Sequence, residues 1–219
     1  MSRKRLPAVV FALDAESSGL YLRKPGPGQT LPSQCIALAV IALRTDTLAE
    51  VGRLNLRIRF DATRYSWSEE AAQVHGLTQA MLAAAPTMAE AATELLAFLN
   101  THNGAGNSLF IAAHNPSFDV DALSQVLNAI GHRAKVIHRR LDAFSVGFAL
   151  FGHQDSDEQF AFNGNHRTTH DAMDDIANSV DTLRTARRAG TAYRQRWLRF
   201  AVAFVAGALV ALLVTAFAA

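Results

Sequence analysis

Residues 8–20 read AVVFALDAESSGL. The run Ala8–Leu13 is apolar and rich in β-branched and aromatic side chains, and it is too short for an ordinary helix, the pattern of a buried strand. Two acids, Asp14 and Glu16, stand at its C-terminal end, one residue apart. On extended backbone both side chains leave the same face of a sheet and can hold one cation between them. A buried strand ending in paired carboxylates requires a sheet around it and further ligands beside it.

Working outward, Cys35–Leu43 and the alternating stretch Arg53–Phe60 (RLNLRIRF) predict two more strands, so the first 60 residues form a meander. Helices are predicted over Glu69–Val74 and Met88–Asn100, followed by a short buried strand at Ser108–Ala113 and a helix over Val120–Ile130. A brief strand at Lys135–His138, a helix over Ala143–Phe151 and a last soluble helix from about His170 to Arg188 complete the pattern. Three strands and then alternating helix and strand predict an α/β fold with a mixed sheet flanked by helices. The loop Tyr21–Gln34, with Pro25, Gly26, Pro27, Gly28 and Pro32, is the longest aperiodic segment, and loops of that length are often functional. Arg23 and Lys24 inside it face either phosphates or solvent.

The chain has 219 residues, room for one domain of ordinary size and a short appendage. With 50% hydrophobic and 18% charged residues it is not disordered. Its one cysteine, Cys35, excludes an internal disulfide and a Cys-rich zinc site, and fits a reducing compartment. All 19 acidic residues lie at or before Asp181, so residues 1–185 carry a net −3 and the remainder +5. The pI near 9.0 therefore belongs to the tail, and not to a globally basic nucleic-acid-binding surface.

That tail ends in FAVAFVAGALVALLVTAFAA, Phe200–Ala219, 20 residues without a charge. As a helix it spans about 30 Å, the thickness of a hydrocarbon core. Before it stand Arg187, Arg188, Arg194, Arg196 and Arg199 with Tyr193 and Trp197, a composition suited to an interface beside anionic lipid. The expectation is a single-pass, tail-anchored membrane protein with its N-terminal domain in the cytoplasm. The domains are then 1–185, a basic juxtamembrane segment 186–199, and a transmembrane helix 200–219. Ala203, Gly207 and Ala211 repeat at a spacing of four, which permits helix–helix contact in the membrane and hence a homodimer. The N-terminus is not a signal peptide, because Asp14 and Glu16 interrupt its apolar run.

Two further groups carry chemistry. Asp119 lies in AAHNPSFDVDAL (112–123), where the chain leaves a short strand through His114 and Asn115 and enters a helix; an acid favoured by the helix dipole is the alternative reading. His170 and Asp175, in HDAMDDIANSV, are five apart and share a broad face if both are helical.

Taken in order, these residues resemble the DEDDh exonuclease family. Phe11–Leu20 (FALDAESSGL) resembles the first motif, Ile111–Leu123 (IAAHNPSFDVDAL) the second, and His170 to Asp175 the third, His-x4-Asp. Glu70–Thr78 (EAAQVHGLT) is similar to a segment common in the proofreading-subunit branch. The resemblance covers residues 7 to about 185 and implies a ribonuclease-H-like fold and 3′-to-5′ removal of nucleoside 5′-monophosphates from single-stranded nucleic acid. It implies that Asp14, Glu16, Asp119 and Asp175 hold two divalent ions, Mg²⁺ or Mn²⁺, with His170 as general base and Glu16 shared between metal binding and catalysis. Ser17, Ser18, Gly19 and Leu20, with His114 and Asn115, would receive the terminal nucleotide. Ser17 and Ser18 replace the usual Thr-Thr, and Ala37 stands where many relatives carry Glu or Gln. The motifs do not decide DNA against RNA: His75-Gly76-Leu77-Thr78 leans to the DNA branch, whereas Asp174-Asp175-Ile176 resembles oligoribonuclease. The alternatives are an RNase T- or oligoribonuclease-like RNA exonuclease, and a catalytically degenerate membrane-anchored nucleic-acid-binding protein, against which the intact five-residue constellation speaks.

Of the neighbouring residues, His75 reads as helix capping and packing, Asp121 and Asp174 as surface, Asp142 as a helix N-cap, and His166 as a loop residue within reach of a phosphate.

Overall fold

The computed structural model describes residues 6–164 and 170–217, and the side chains of all of these except Ser156 and residues 199–217. Five strands form one mixed sheet in the order β3-β2-β1-β4-β5. They are β1 (Val9–Ser17), β2 (Cys35–Arg44), β3 (Glu50–Arg57), β4 (Leu109–Ala113) and β5 (Val136–Asp142). The antiparallel meander β1-β2-β3 and the parallel neighbours β4 and β5 match the architecture that the sequence predicts.

Because side chains alternate along a strand, β1 feeds two cores. Phe11, Leu13 and Ala15 face helices α3 (Met88–Asn103) and α4 (Pro116–Asn128) through Leu95, Leu99, Leu123 and Leu127. Val10 and Ala12 face α5 (Ala143–Phe151) and α7 (Ala172–Phe217) through Ile176, Val180 and Leu183. Strand β2 is buried on both faces from Cys35 to Leu43, which explains its unbroken apolar run. Three short helices, α1 (Glu69–His75), α2 (Gln79–Leu82) and α6 (Ser156–Phe162), complete the domain.

Boundaries move in informative ways. Strand β1 runs through both acids to Ser17, four residues beyond the apolar run, because Asp14 and Glu16 stay paired with Ala39 and Ala37 of β2. Strand β3 starts three residues early, at Glu50, yet keeps the predicted alternation, with Leu56 and Ile58 buried. The loop Tyr21–Gln34 is pinned from α4: Gln125 Nε2 donates to the Leu22 and Ser33 carbonyls at 2.9 and 2.8 Å, and its Oε1 accepts from the Cys35 amide at 2.7 Å.

Helix α7 continues without a break from Ala172 to Phe217, across both expected domain boundaries. Among the described residues no helix is long and apolar enough to cross a membrane. The side chains of Phe200–Ala219, on which the expectation of a spanning helix and of a homodimer rests, lie outside them, as does His166.

Candidate active site

Strands β1 and β4 pair in parallel at Phe11↔Ile111 and Ala12↔Ala112; β4 then ends at Ala113 while β1 continues with β2 to Ser17. A notch opens beside the last residues of β1, at the carboxyl ends of the parallel strands, where open α/β sheets bind ligands. Asp14 and Glu16 share the face of Val10 and Ala12, which α7 covers, and Asp175 descends on them from the first turn of that helix. Asp119 reaches the notch from the other side, on the first turn of α4.

The ligand atoms of Glu16, His170 and Asp175 all lie within 4.8 Å of one another. Asp14 flanks this cluster on the same strand face. Asp119 is 4% exposed; burial drives its carboxyl well above the usual range, the Glu16 charge adds to the rise, and hydrogen bonds from its own amide and the Ala15 amide oppose it. A carboxyl raised in this way is one that a neighbouring cation would return to its charged form. The carboxylate oxygens suit hard divalent ions.

His170 departs from the expected geometry. It lies in the turn before α7 and not on the helix, because Asp171 caps that helix: its Oδ1 accepts from the Met173 amide at 2.9 Å and its carbonyl from the Asp175 amide at 2.9 Å. The imidazole is thereby released from helical geometry, with Nδ1 3.6 Å from Asp175 Oδ2.

Glu16, His170, Asp171, His75, Ala37 and Arg57 line a cleft of about 180 Å³. Arg57 was not singled out by the sequence, although the alternation of RLNLRIRF places it on the polar face of β3. It follows Glu16 and Ala37 in register across the sheet and meets Asp171 Oδ2 at 3.7 Å. His75 does cap and pack, as read: its Nδ1 accepts from the Leu77 amide at 3.0 Å and its ring meets Trp67 edge-on. It also borders the cleft, and burial, reinforced by His170, holds its imidazole below the ordinary value. Cys35, opposite Ser17, is buried beside the same carboxylates; burial and the Asp119 and Glu16 charges push its thiol far up, which disfavours the thiolate.

Around the cleft, Ser17 Oγ donates to the Gly19 carbonyl at 2.6 Å. Ser18 is sealed inside: Oγ donates to the Ser66 carbonyl at 2.6 Å and accepts from the Gln34 amide at 2.8 Å. Gly19 has φ +155°, and a Cβ there would sit 2.6 Å from Ser33 Oγ, so the turn admits no side chain. Leu20, next in line, is 80% exposed. His114 meets the Phe144 ring edge-on at 5.3 Å, and Asn115 heads α4 with an exposed side chain that makes no capping bond. Asp142 is the N-cap of α5, accepting from the Ser145 amide at 2.9 Å, and Asp174 is exposed. Asp121, expected at the surface, is partly buried and forms an ion pair with Arg23, which ties that arginine to α4.

The sequence profile of the RNase T exonuclease family matches residues 11–183. No curated protein matches the chain. The fold is shared with the nuclease domain of 3′hExo, a DEDDh family member bound to rAMP: TM-score 0.61, 13% identity, 84% of this chain and 94% of that one. It is also similar to the zinc-bound form of the E. coli ExoI–ssDNA complex, at TM-score 0.61 and 14% identity over 82% of this chain and 40% of that one. Cell-death related nuclease 4 gives TM-score 0.61 and 14% identity over 84% of this chain and 64% of that one. Nucleases of this family use divalent metals, and relatives bind single-stranded DNA or RNA. With a profile match spanning all three motifs, and the acids and histidine of those motifs gathered at one notch, the chain belongs to the DEDDh 3′–5′ exonuclease family.

Proposed function

We propose that the protein removes nucleoside 5′-monophosphates from the 3′ ends of single-stranded nucleic acid, DNA in preference to RNA, while tethered to a membrane by Phe200–Ala219. The observation that carries the catalytic part is the convergence of Glu16, His170 and Asp175 within 4.8 Å, with Asp119 buried beside Glu16.

Asp14, Glu16, Asp119 and Asp175 would hold two Mg²⁺ or Mn²⁺ ions, which supply Lewis-acid stabilisation of charge on the phosphoryl and leaving oxygens. His170 takes the proton of the attacking water; it is partly exposed to the cleft, with Asp175 Oδ2 3.6 Å from its Nδ1. The new bond forms at the terminal phosphorus and the bond to the 3′ oxygen breaks. Leu20, with Ser17 and Gly19, meets the terminal nucleoside from one side, while the sealed Ser18 side chain supports the turn rather than the ligand, as the sequence had not foreseen; His114 and Asn115 meet it from the other. The preference for DNA rests on the His75–Thr78 segment, which resembles the proofreading branch.

The tether rests on the uncharged length of Phe200–Ala219 and the arginines before it, and the positive-inside rule supports a cytoplasmic catalytic domain. The full-length protein incubated with Mg²⁺ and a single-stranded oligonucleotide is expected to release nucleoside 5′-monophosphates, and EDTA to stop it. Release of 3′-monophosphates or of oligomers would refute the mechanism. Membranes washed in carbonate are expected to retain the chain; its recovery in the supernatant would refute the tether.

A further inference from the structure

Two features beside the catalytic notch extend beyond the residues that the mechanism uses. The first is an aromatic ladder. His114, at the exit of β4, meets Phe144 at 5.3 Å, and Phe144 in turn lies 6.4 Å from Phe148 with the rings 28° apart. Phe148 is 55% exposed, and Leu150 beyond it 59%. Phe144 and Phe148 are four apart on α5 and so form one stripe along it. Gly147, buried one turn into α5, packs against Thr182, two turns of α7 beyond Asp175, so α5 and the ladder on it run away from the notch.

The second is the outer sheet edge. No acid occurs between Asp121 and Asp142, whereas Arg133, Lys135, Arg139 and Arg140 all do, and all four are exposed. None pairs with an acid among the described residues. Strand β5 carries two extra residues between Val136 and Arg140 relative to β4, a bulge that re-aims the side chains there. Charge and a bulge guard any edge strand against adding another. They do not account for the exposed Phe148 and Leu150 on the helix that follows directly from this strand.

Aromatic rings beside unpaired cations form the surface that single-stranded nucleic acid fits: bases stack on the rings and phosphates meet the cations. We propose that the His114–Phe144–Phe148 ladder and the basic β5 edge form a track for the single-stranded segment 5′ of the terminal nucleotide. The complementarity of charge selects this polyanion as the occupant. The track rests on the nuclease reading above and adds to it the means of holding longer strands.

The test measures binding of a 5′-fluorescein-labelled 12-mer of deoxythymidylate to the full-length protein in EDTA, which blocks hydrolysis. Phe148→Ala is expected to weaken binding about tenfold, and Phe148→Tyr, which keeps a stacking ring, to restore most of it. The double variant Arg139→Gln/Arg140→Gln is expected to lower the slope of log affinity against log salt by about 1.4, the value for two lost phosphate contacts on a single strand. Unchanged affinity and slope in both variants would overturn the track. So would variants that keep 12-mer binding but lose binding to phosphatidylserine vesicles, which would make the surface a lipid contact. Mg²⁺-dependent hydrolysis of a dinucleotide by the wild-type protein, measured in parallel, reports on the active site alone, so the two readings fail separately.

Discussion

Asp14 and Glu16 sit on the central strand, paired with β2 from Val9 to Ser17, whereas His170 sits in a turn held by one capping aspartate. The carboxylates are fixed by backbone ladders and a core on the reverse face; the histidine depends on Asp171, on Arg57 at 3.7 Å from it, and on Asp175. Ion ligands that must converge on one point gain from a rigid strand. A proton acceptor that must meet water gains from a partly exposed turn.

The comparison breaks most sharply at the acids. Asp14→Ala, Glu16→Ala, Asp119→Ala and Asp175→Ala should each lower hydrolysis at saturating Mg²⁺ by more than about 10³-fold, the upper range for loss of one group that stabilises transition-state charge. Near-normal turnover in one of them would remove that residue from the site. On the turn side the loss should be smaller in its lower range. His170→Ala is expected to cost about 10²- to 10⁴-fold in kcat, as general-base catalysis does, and an unchanged rate would take the histidine out of the mechanism. Asp171→Ala should cost about 1 kcal/mol of stability through the lost cap, read by thermal melting, together with a fall in kcat from a misplaced His170. A drop in stability with kcat intact would make Asp171 a cap only.

Asp119 sharpens the comparison from the stability side. Its carboxyl is raised in the folded state, so the folded protein binds a proton more tightly than the unfolded chain does. Its stabilising contribution is therefore present below the unfolded pKa and is lost as pH rises through the raised folded value. In EDTA, Asp119→Asn should thus melt higher than wild type near neutral pH, with the gap closing as pH falls, while hydrolysis is lost. A lower melting temperature for the variant at neutral pH would contradict the burial cost. Adding Mg²⁺ to the wild type should narrow the gap, by binding the folded form. The smallest effect belongs to the loop: Gln125→Ala strands the Leu22 and Ser33 carbonyls and the Cys35 amide, which should cost about 1–3 kcal/mol in chemical denaturation. No change would mean that the loop is held otherwise.

The acids were legible from sequence because strand periodicity fixes which face a side chain leaves by, and Asp14 and Glu16 share the parity of Val10 and Ala12. The succession of strands and helices along the chain, and hence a mixed sheet, followed from the alternation of apolar runs with helices; the order of strands within the sheet did not. The last residue of β1 was not legible: a register shift after Glu16 lets Ser17 pair with Cys35, which strand parity does not foretell. His170 was placed on the helix because spacing cannot show that Asp171 caps it. Arg57 entered the site through lateral register across three strands, Glu16, Ala37 and Arg57, which no local window contains. The helices α2 and α6 are one turn and two turns long, below what periodicity resolves, although Asp155 caps α6 by accepting from the Glu158 amide.

The most direct measurement gives the full-length protein, in Mg²⁺, matched single-stranded DNA and RNA labelled at either the 3′ or the 5′ end. The account predicts that 3′ label leaves at once as mononucleotide, that 5′ label persists on a shortening ladder, and that DNA is consumed faster than RNA. Shortening from the 5′ end, or no Mg²⁺-dependent release from either polymer, would contradict it.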